Sequence, residues 1–299
     1  MGVPTDHSAQ QRDTEPPTQA LGRALVFDSG MGGLTVARAL SRLAPALRVD
    51  YAADSGFFPY GDKDDDALRA RLPEAARALC AVARPDVFVI ACNTASTLAL
   101  PEVRAVLDVP VVGTVPAVKP AAQLSRSGVI GVLATPGTIR RSYTADLIRD
   151  HAPAARVRLH GTVALVELAE QVAAGGDPPL AAFEAALAPL FDGPEGEAID
   201  TIVLACTHFP LVRDRLEAAA PRPVSFVDSG DAIARQTLRV MTQRGAGRDD
   251  PTPPVAWLTS DPAGQGRLAS VLQRYGYDRL NWVTVADTSS ADGSISDAP

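Results

Sequence analysis

Short apolar runs alternate with longer segments of helical periodicity along most of this chain. Two of the runs, Val87–Ile90 and Thr201–Ala205, are apolar, partly β-branched and of a length that suits a buried strand. Repeated strand–helix units of this kind predict parallel sheets with helices on both faces. A strand at Trp257–Thr259 and a helix at Gly264–Tyr275 are expected to close the ordered region. The predicted fold class is therefore α/β.

Both apolar runs end in the same way, with Ala-Cys and then polar residues. The first continues into Ala91–Thr94 and the second into Ala205–His208, after which a helix is predicted from Pro210 to Ala220. A thiol at the start of a helix lies beside free N–H groups, which favour the thiolate. The pattern therefore predicts two reactive thiols, Cys92 and Cys206, at two strand ends.

A second echo links the two halves of the chain. Val26–Gly30 and Phe226–Gly230 both end in Asp-Ser-Gly after a short apolar stretch. Because open α/β sheets bind ligands at the carboxyl ends of their strands, the echoes predict two pseudo-symmetric lobes with parallel-sheet cores and an active site between them. The predicted segments are a disordered extension at 1–21, a first lobe at 22–115 plus 225–285, a second lobe at 116–224 and a flexible tail at 286–299.

Composition and charge exclude several classes of protein. Hydrophobic residues make up 46% and charged residues 21%, which is typical of a soluble globular protein. No apolar run approaches the roughly 20 residues that span a bilayer, and the polar start lacks a signal-peptide core, so we expect a cytoplasmic protein without membrane contact. The net charge of −7, with no basic cluster, disfavours nucleic-acid binding. Three cysteines without a Cys-x-x-Cys pair disfavour a disulfide framework and a zinc site.

Two thiols facing one carbon atom from opposite sides can invert its configuration. One removes a proton and the other returns a proton to the opposite face, and the ordinary thiol pKa near 8.5 suits both roles. Asp28 is a candidate to steer Cys92, and His208 lies two residues from Cys206. Two other interpretations stay open, since a buried cysteine is often structural and one Cys–His pair also fits a hydrolase. The third cysteine, Cys80, lies among Ala and Leu and is expected to be an apolar core residue.

Two turns have a composition that suits ligand binding or structure equally. Pro59–Gly61 is predicted to form a shaped loop that offers backbone N–H groups. Thr135 and Thr138 flank a Pro-Gly turn, where their hydroxyl groups can donate to a ligand or cap a helix. Lys63 and Lys119 stand in no recognisable cofactor setting, so no pyridoxal phosphate site is predicted.

Five motifs together resemble the glutamate racemases, and they occur in that family's order over about residues 23–244. The motifs are Phe27-Asp-Ser-Gly-Met-Gly-Gly-Leu34, Pro59-Tyr-Gly-Asp-Lys63, Ala91-Cys-Asn-Thr-Ala-Ser96, Cys206-Thr-His-Phe-Pro-Leu211 and Val227-Asp-Ser-Gly230.

The resemblance implies a cofactor-independent enzyme without metal that supplies D-glutamate for peptidoglycan. It implies that Cys92 abstracts the α-proton of D-glutamate and Cys206 that of L-glutamate, with Asp28, His208 and Glu170 assisting. The implied substrate contacts are Asp28, Ser29, Pro59, Tyr60, Gly61, Asn93, Thr94, Thr138, Thr207 and His208. The implied partner is glutamate alone, and the family pattern allows a homodimer.

Three rival functions remain at this stage. The first is a racemase of the same superfamily that acts on aspartate or a related acid. The second is a regulatory amino-acid-binding protein with little turnover, and the third is a Cys–His hydrolase, which would need only one of the two cysteines.

Overall fold

The computed structural model describes residues 21–244 and 252–286. The predicted extension at 1–21 and the predicted tail at 286–299 therefore lie outside the described residues, apart from their boundary residues 21 and 286.

Within residues 21–244 and 252–286, ten strands form two sheets in which every strand pair is parallel. The strands are β1 Arg23–Asp28, β2 Arg48–Ala53, β3 Val87–Ile90, β4 Val111–Val112, β5 Val129–Ala134, β6 Arg156–Gly161, β7 Thr201–Ala205, β8 Ser225–Val227, β9 Val255–Leu258 and β10 Arg279–Trp282. The first sheet has the order β10-β9-β2-β1-β3-β4 and the second has the order β6-β5-β7-β8. The two-lobe α/β architecture predicted from the sequence is confirmed.

Twelve α-helices of the described residues cover these sheets. They are α1 Leu34–Leu43, α2 Asp65–Ala83, α3 Asn93–Val106, α4 Val118–Leu124, α5 Pro136–Arg140, α6 Ser142–His151, α7 Ala164–Ala173, α8 Leu180–Phe191, α9 Gly193–Ala198, α10 Arg213–Ala219, α11 Gly230–Arg244 and α12 Gly266–Arg274. Strands β3, β5 and β7 are buried along their whole length, since helices lie on both faces of a parallel sheet.

The chain leaves the first lobe after β4 and returns to it through α11. Helix α11 packs in the first lobe's core, where Ile233, Ala234 and Met241 are buried beside α1. At the crossing, the Ser229 hydroxyl donates to the Val115 carbonyl at 2.6 Å and so ties the two connecting segments together.

The division between the lobes differs from the prediction by one strand. Strand β8 pairs with β7 in the second sheet, whereas the predicted boundary at residue 225 gave it to the first lobe. The Asp-Ser-Gly echo favoured that boundary because it suggested that Phe226–Gly230 opens a lobe as Val26–Gly30 does. The strand instead completes the second sheet, and the return begins after it.

The last strand was not predicted from the sequence. Strand β10 pairs with β9 at the edge of the first sheet, after the helix that was expected to close the ordered region. Its residues Arg279, Asn281 and Trp282 are exposed, so the segment lacks the apolar run that marks a buried strand. Among the described residues, no helix is long and apolar enough to cross a bilayer.

Candidate active site

The carboxyl ends of strands from both sheets face one cavity between the lobes. Strands β1 and β3 end at Asp28 and Ile90, and strands β5 and β7 end at Ala134 and Ala205. The residues that line the cavity are Ser29, Phe58, Pro59, Tyr60, Gly61, Cys92, Asn93, Thr94, Thr135, Val163, Val166, Cys206, Thr207 and His208. The two thiols are thus brought to one cavity by different lobes.

Cys92 occupies the N-cap position of α3 and is only 6% exposed. The Asp28 carboxylate and the Ala95 N–H group of α3 lie in its surroundings and act on its pKa in opposite directions. Burial, followed by the negative charge of Asp28, raises the pKa of Cys92 well above its ordinary value and outweighs the helix N–H group. The helix N–H group favours the thiolate of Cys92, as predicted, but burial and Asp28 have the larger effect and favour its thiol form.

Asp28 is fully buried at the end of β1 and is held by donors from both lobes. The backbone N–H groups of Ser29, at 2.9 Å, and of Gly33 donate to its carboxylate from the loop that starts α1. The Thr207 hydroxyl donates to the same carboxylate at 3.0 Å across the cleft. A methyl group at Gly33 would lie 2.8 Å from the Asp28 Cβ atom, so only glycine permits this close wrapping of the loop.

Cys206 lies beside a histidine instead of a carboxylate. Its sulfur is 3.9 Å from Nδ1 of His208, and Nε2 of that ring is 3.1 Å from Oε1 of Glu170 on α7. Burial lowers the pKa of His208, but the contacts with Cys206 and Glu170 outweigh burial and raise it to about 10. The imidazole is therefore held in its protonated form, as a cation next to the second thiol.

The start of the segment after Cys206 differs from the predicted helix. A 3-10 turn covers Phe209–Val212, and helix α10 begins only at Arg213. Pro210 supplies the turn but is followed by backbone that leaves the α conformation at Val212. Cys206 therefore has no α-helix N-terminus beside it, and His208 is the cationic neighbour instead.

Three buried threonine hydroxyls meet where the lobes touch. Thr94 Oγ1 lies 3.1 Å from Thr135 Oγ1 and 3.4 Å from Thr138 Oγ1, and the latter two are 3.1 Å apart. Thr135 also caps α5, where its side chain accepts from the Thr138 N–H group. The sequence allowed two roles for this turn, a helix cap and a hydroxyl group at the site. Thr135 caps α5 and also places its hydroxyl group at the cavity.

One buried polar atom on the cavity wall has no hydrogen-bond partner among the residues that the structure describes. The Asn93 side chain lines the cavity, and its Oδ1 atom makes no hydrogen bond with any described residue. A buried acceptor without a partner is costly, so a donor on a bound ligand would stabilise it.

The loop that carries Tyr60 is anchored from behind. Tyr60 donates to Asp54 at 2.7 Å, and Asp54 also accepts from Arg71 at 2.7 Å and from the Thr259 hydroxyl at 2.6 Å. These contacts fix the Pro59–Gly61 loop against the first sheet. Asp54 was not predicted as a site residue, because nothing next to it in the sequence indicates these three distant partners.

Most of the predicted site residues lie on the cavity wall. Those that do are Ser29, Pro59, Tyr60, Gly61, Cys92, Asn93, Thr94, Cys206, Thr207 and His208. Asp28, Thr138 and Glu170 stand behind it and contact wall residues instead. The wall residues Phe58, Thr135, Val163 and Val166 were not among the predicted site residues. The Pro-Gly turn after Thr135 marked that residue as a possible ligand-binding position. Phe58, Val163 and Val166 are apolar and look like ordinary core residues in the sequence.

The described residues contain no group of three or more His, Cys, Asp or Glu side chains arranged to hold a metal ion. All three cysteines are free thiols, and Cys80 is half-buried on α2 away from the cavity. Burial raises the pKa of the Cys80 thiol to about 12, as expected for an unreactive core residue.

Comparisons with known proteins agree with this arrangement. Residues 31–237 match the family model described as Asp/Glu/hydantoin racemase. The glutamate racemase of Brucella anthropi is 47% identical over 232 residues, which cover 77% of this chain and 84% of that protein. The glutamate racemase of Salmonella gallinarum is 41% identical over 269 residues, covering 90% of this chain and 94% of that protein.

A solved structure has the same fold. Escherichia coli glutamate racemase, in complex with L-glutamate and the activator UDP-MurNAc-Ala, superposes with a TM-score of 0.82 at 40% identity and covers 88% of this chain and 98% of its own. The family indicated by the five sequence motifs is confirmed. The chain therefore belongs to the Asp/Glu/hydantoin racemase family of isomerases, within which the relatives it resembles are glutamate racemases.

Proposed function

We propose that this enzyme interconverts L- and D-glutamate in the cytoplasm by two-base proton transfer, without a cofactor, and so supplies D-glutamate for peptidoglycan and cell shape. The observation that carries the proposal is the pair of buried thiols, Cys92 and Cys206, which line one cavity from different lobes with separate acid–base partners. Its relatives are named glutamate racemases, and the solved one was determined with L-glutamate.

In the direction from L to D, the Cys206 thiolate removes the α-proton of L-glutamate while the protonated His208 lies beside it. The Cys92 thiol then gives its proton to the opposite face of the same carbon, which yields D-glutamate. The step leaves Cys206 as a thiol and Cys92 as a thiolate, so the reverse reaction begins from that form. Each thiol is acid in one direction and base in the other.

Polar groups around the cavity suit the rest of an acidic amino acid. The unpartnered Oδ1 of Asn93 and the Asp28 carboxylate are acceptors for the ammonium group. Hydroxyl groups of Ser29 and Thr94 are donors for carboxylates, as is backbone from the Pro59–Gly61 loop. The Thr207 hydroxyl directs its proton to Asp28 and offers an acceptor for the ammonium group. This excess of neutral hydrogen-bond donors supports an acidic substrate, because each donor can bind a carboxylate oxygen. The donors carry no charge, so the positive charge of His208 stays unpaired by them.

The two cysteines can be tested with the third as a matched control. In D₂O, proton NMR of L-glutamate with the native enzyme should show loss of the α-proton signal, with D-glutamate appearing in a chiral assay. Cys92→Ala and Cys206→Ala should each lower racemisation by about 10³-fold or more, since each removes a required acid–base group. Cys80→Ala, which changes a half-buried thiol outside the cavity, should keep native turnover.

Several outcomes would contradict the proposal. Native turnover in either cysteine variant would remove the two-base assignment, and dependence on only one cysteine would favour the Cys–His hydrolase. Exchange with L-aspartate alone would move the enzyme to the neighbouring substrate. Glutamate binding without exchange, from folded and reduced protein, would favour the regulatory binding protein. Association into a homodimer stays a prediction, which sedimentation of the purified enzyme would check.

A further inference from the structure

The cavity between the thiols is closed in this conformation. The volume of this cavity is about 20 Å³, which accommodates about one water molecule. An amino acid with two carboxylates is several times larger. Substrate entry therefore requires a part of the wall to move.

A second cavity of about 360 Å³ has sides from both lobes and shares no lining residue with the cavity between the thiols. Its lining includes Thr97 on α3 and Gly137 on α5, in the same two helices that carry Thr94 and Thr138. Its charged lining residues are the cations Lys63, Arg69, Arg140 and Arg141 and the carboxylates Asp64 and Asp65. Cations therefore outnumber carboxylates here, on a chain whose net charge is −7.

Arg141 stands between this outer cavity and the threonine cluster. Its Nη1 donates to the Thr94 carbonyl at 3.0 Å and to the Thr97 hydroxyl at 3.3 Å. Its Nη2 donates to Asp65 at 2.7 Å. The side chain belongs to the second lobe, and all three partners belong to the first, so this guanidinium holds the lobes together.

The guanidinium is packed while its carboxylate partner is open to solvent. The Arg141 side chain is 8% exposed and the Asp65 side chain is 52% exposed. A methyl group at Gly137 would lie 3.3 Å from the Arg141 Nη2 atom, so the arginine is folded tightly over α5. An ion pair that is partly exposed is weak enough to break reversibly.

Two cations of the outer cavity have no carboxylate partner within salt-bridge distance among residues 21–244 and 252–286. Arg140 is exposed, and the Lys63 ammonium lies 5.3 Å from the centre of the Phe57 ring. Arg69 is paired with Glu102 and Arg141 with Asp65. Lys63 and Arg140 are therefore the charges available to attract an incoming anion.

We propose that the outer cavity is the entry site for an acidic substrate, and that Arg141, held by Asp65, is the gate between this cavity and the two thiols. An anion is drawn in by Lys63 and Arg140, and the gate opens when Arg141 leaves Asp65 and Thr94. The proposal depends on the proposed function only for the identity of the anion as glutamate.

Alkylation of the cavity thiols tests the route without using glutamate. Iodoacetamide is neutral and iodoacetate is an anion of similar size, and the rate at Cys206 can be followed for both by peptide mass spectrometry. Asp65→Asn should speed both reagents by about two- to fivefold, the range that corresponds to loss of a partly exposed ion pair. Arg140→Gln should slow iodoacetate by about threefold at low ionic strength and leave iodoacetamide unchanged.

Three matched controls accompany these variants. Arg149→Gln removes a charge on α6 whose partners, Asp146 and Asp150, are on the same helix, and it should change neither rate. Arg267→Gln removes a charge from a different cavity of about 500 Å³, which reaches the site beside Ser29 and Glu170. Asp65 and Cys80 both belong to α2, so faster labelling of Cys80 in Asp65→Asn would show that this substitution has loosened the helix. In that case Arg141→Lys replaces Asp65→Asn as the gate variant.

The proposal stands only if the gate variant speeds both reagents and Arg140→Gln slows the anion alone. Unchanged rates in the gate variant would overturn the gate. A selective loss of iodoacetate labelling in Arg267→Gln instead of Arg140→Gln would place the entry in the other cavity. Because the thiols are labelled without turnover, these results are independent of whether glutamate is racemised.

Discussion

The two cysteine sites are equally buried but differ in the charge beside the thiol. Cys92 is 6% exposed and Cys206 is 7% exposed, and both line the same cavity. The neighbour of Cys92 is the Asp28 carboxylate, whereas the neighbour of Cys206 is the His208 imidazole, which is in turn bonded to Glu170. The chain thus places an anion at one thiol and a cation at the other.

This difference suits the requirement of two-base chemistry. Inversion of a stereocentre requires one base without its proton and a partner that carries one. Two identical thiol environments would favour the same protonation state on both sides. Asp28 raises the pKa of Cys92 and so favours its thiol, and the protonated His208 lies beside Cys206. This arrangement suits the proposed order, in which Cys206 takes the α-proton of L-glutamate and Cys92 returns one.

Among the variants that test this difference, the largest effect is expected from neutralising the charged neighbour of either thiol. Asp28→Asn and His208→Asn should each lower kcat/KM by about 10²-fold or more, the usual contribution of an acid–base group. The enantiomers have equal free energy, so kcat/KM must stay equal in the two directions within each variant. The asymmetry should appear in kcat and KM separately, measured by circular dichroism from pure L- and pure D-glutamate.

The echoed aspartate provides a control for these variants. Asp228 directly follows β8, the edge strand of the second sheet, and its side chain is 31% exposed and lies 3.8 Å from Arg213. Asp228→Asn should leave kcat/KM near its native value. A loss as large as that of Asp28→Asn would show that the effect comes from the Asp-Ser-Gly turn and not from the charge at Cys92.

A smaller effect should appear in the reactivity of each thiol. Burial and then Asp28 raise the pKa of Cys92, so Asp28→Asn should increase its rate of alkylation by iodoacetamide at neutral pH by about tenfold, the change produced by one pKa unit. His208→Asn should instead slow labelling of Cys206, because it removes the adjacent cation. Peptide mass spectrometry separates the two sites within one sample. Equal changes at both cysteines in either variant would mean that their environments are coupled and not distinct.

The sequence was sufficient to predict the fold and the two thiols because both depend on local patterns. Buried parallel strands appear as short apolar runs, and the polar residues after them have to lie at the edge where ligands bind. The edge strand β10, with Arg279, Asn281 and Trp282 exposed, lacks such a run and was missed. Strand β8 was assigned to the wrong lobe because pairing between strands is not local.

The electrostatic difference between the sites could not be predicted in the same way. Asp28-Ser-Gly and Asp228-Ser-Gly look alike in sequence, yet the first carboxylate is buried and the second is partly exposed. The predicted helix N-termini suggested two thiolates, but the charge beside each thiol is set by residues that are distant from it in the sequence. Glu170 reaches His208 from 38 residues away, and Thr207 reaches Asp28 from 179 residues away. Burial and charge at these distances are set by the tertiary fold.

The smallest effect concerns the stability of the fold and arises on the Cys206 side alone. The pKa of His208 is raised from its ordinary 6.5 to about 10 in the folded protein. Between these values the native imidazole keeps a proton that the unfolded chain releases. Its own contribution to stability is complete below about pH 6.5 and is lost as the pH rises towards 10, with a slope of at most about 1.4 kcal/mol per pH unit. In the proposed resting enzyme the Cys206 thiolate lacks a proton that the unfolded thiol keeps, so the pair as a whole binds the same number of protons in both states and the two slopes offset each other.

The useful window for this measurement is pH 6.5 to 8.5, up to the ordinary thiol pKa near 8.5, because the raised pKa of Cys92 adds a slope of the same sign above it. Cys206→Ala removes the thiolate and keeps the imidazole bonded to Glu170, so urea unfolding of this variant should show stability that falls with pH more steeply than in the native enzyme. The additional slope should be absent from the double variant Cys206→Ala/His208→Asn, and Asp228→Asn should keep the native slope. An equal slope in the single and double variants would mean that the imidazole is neutral without the thiolate, and Glu170 would then not be the group that holds a cation at this site.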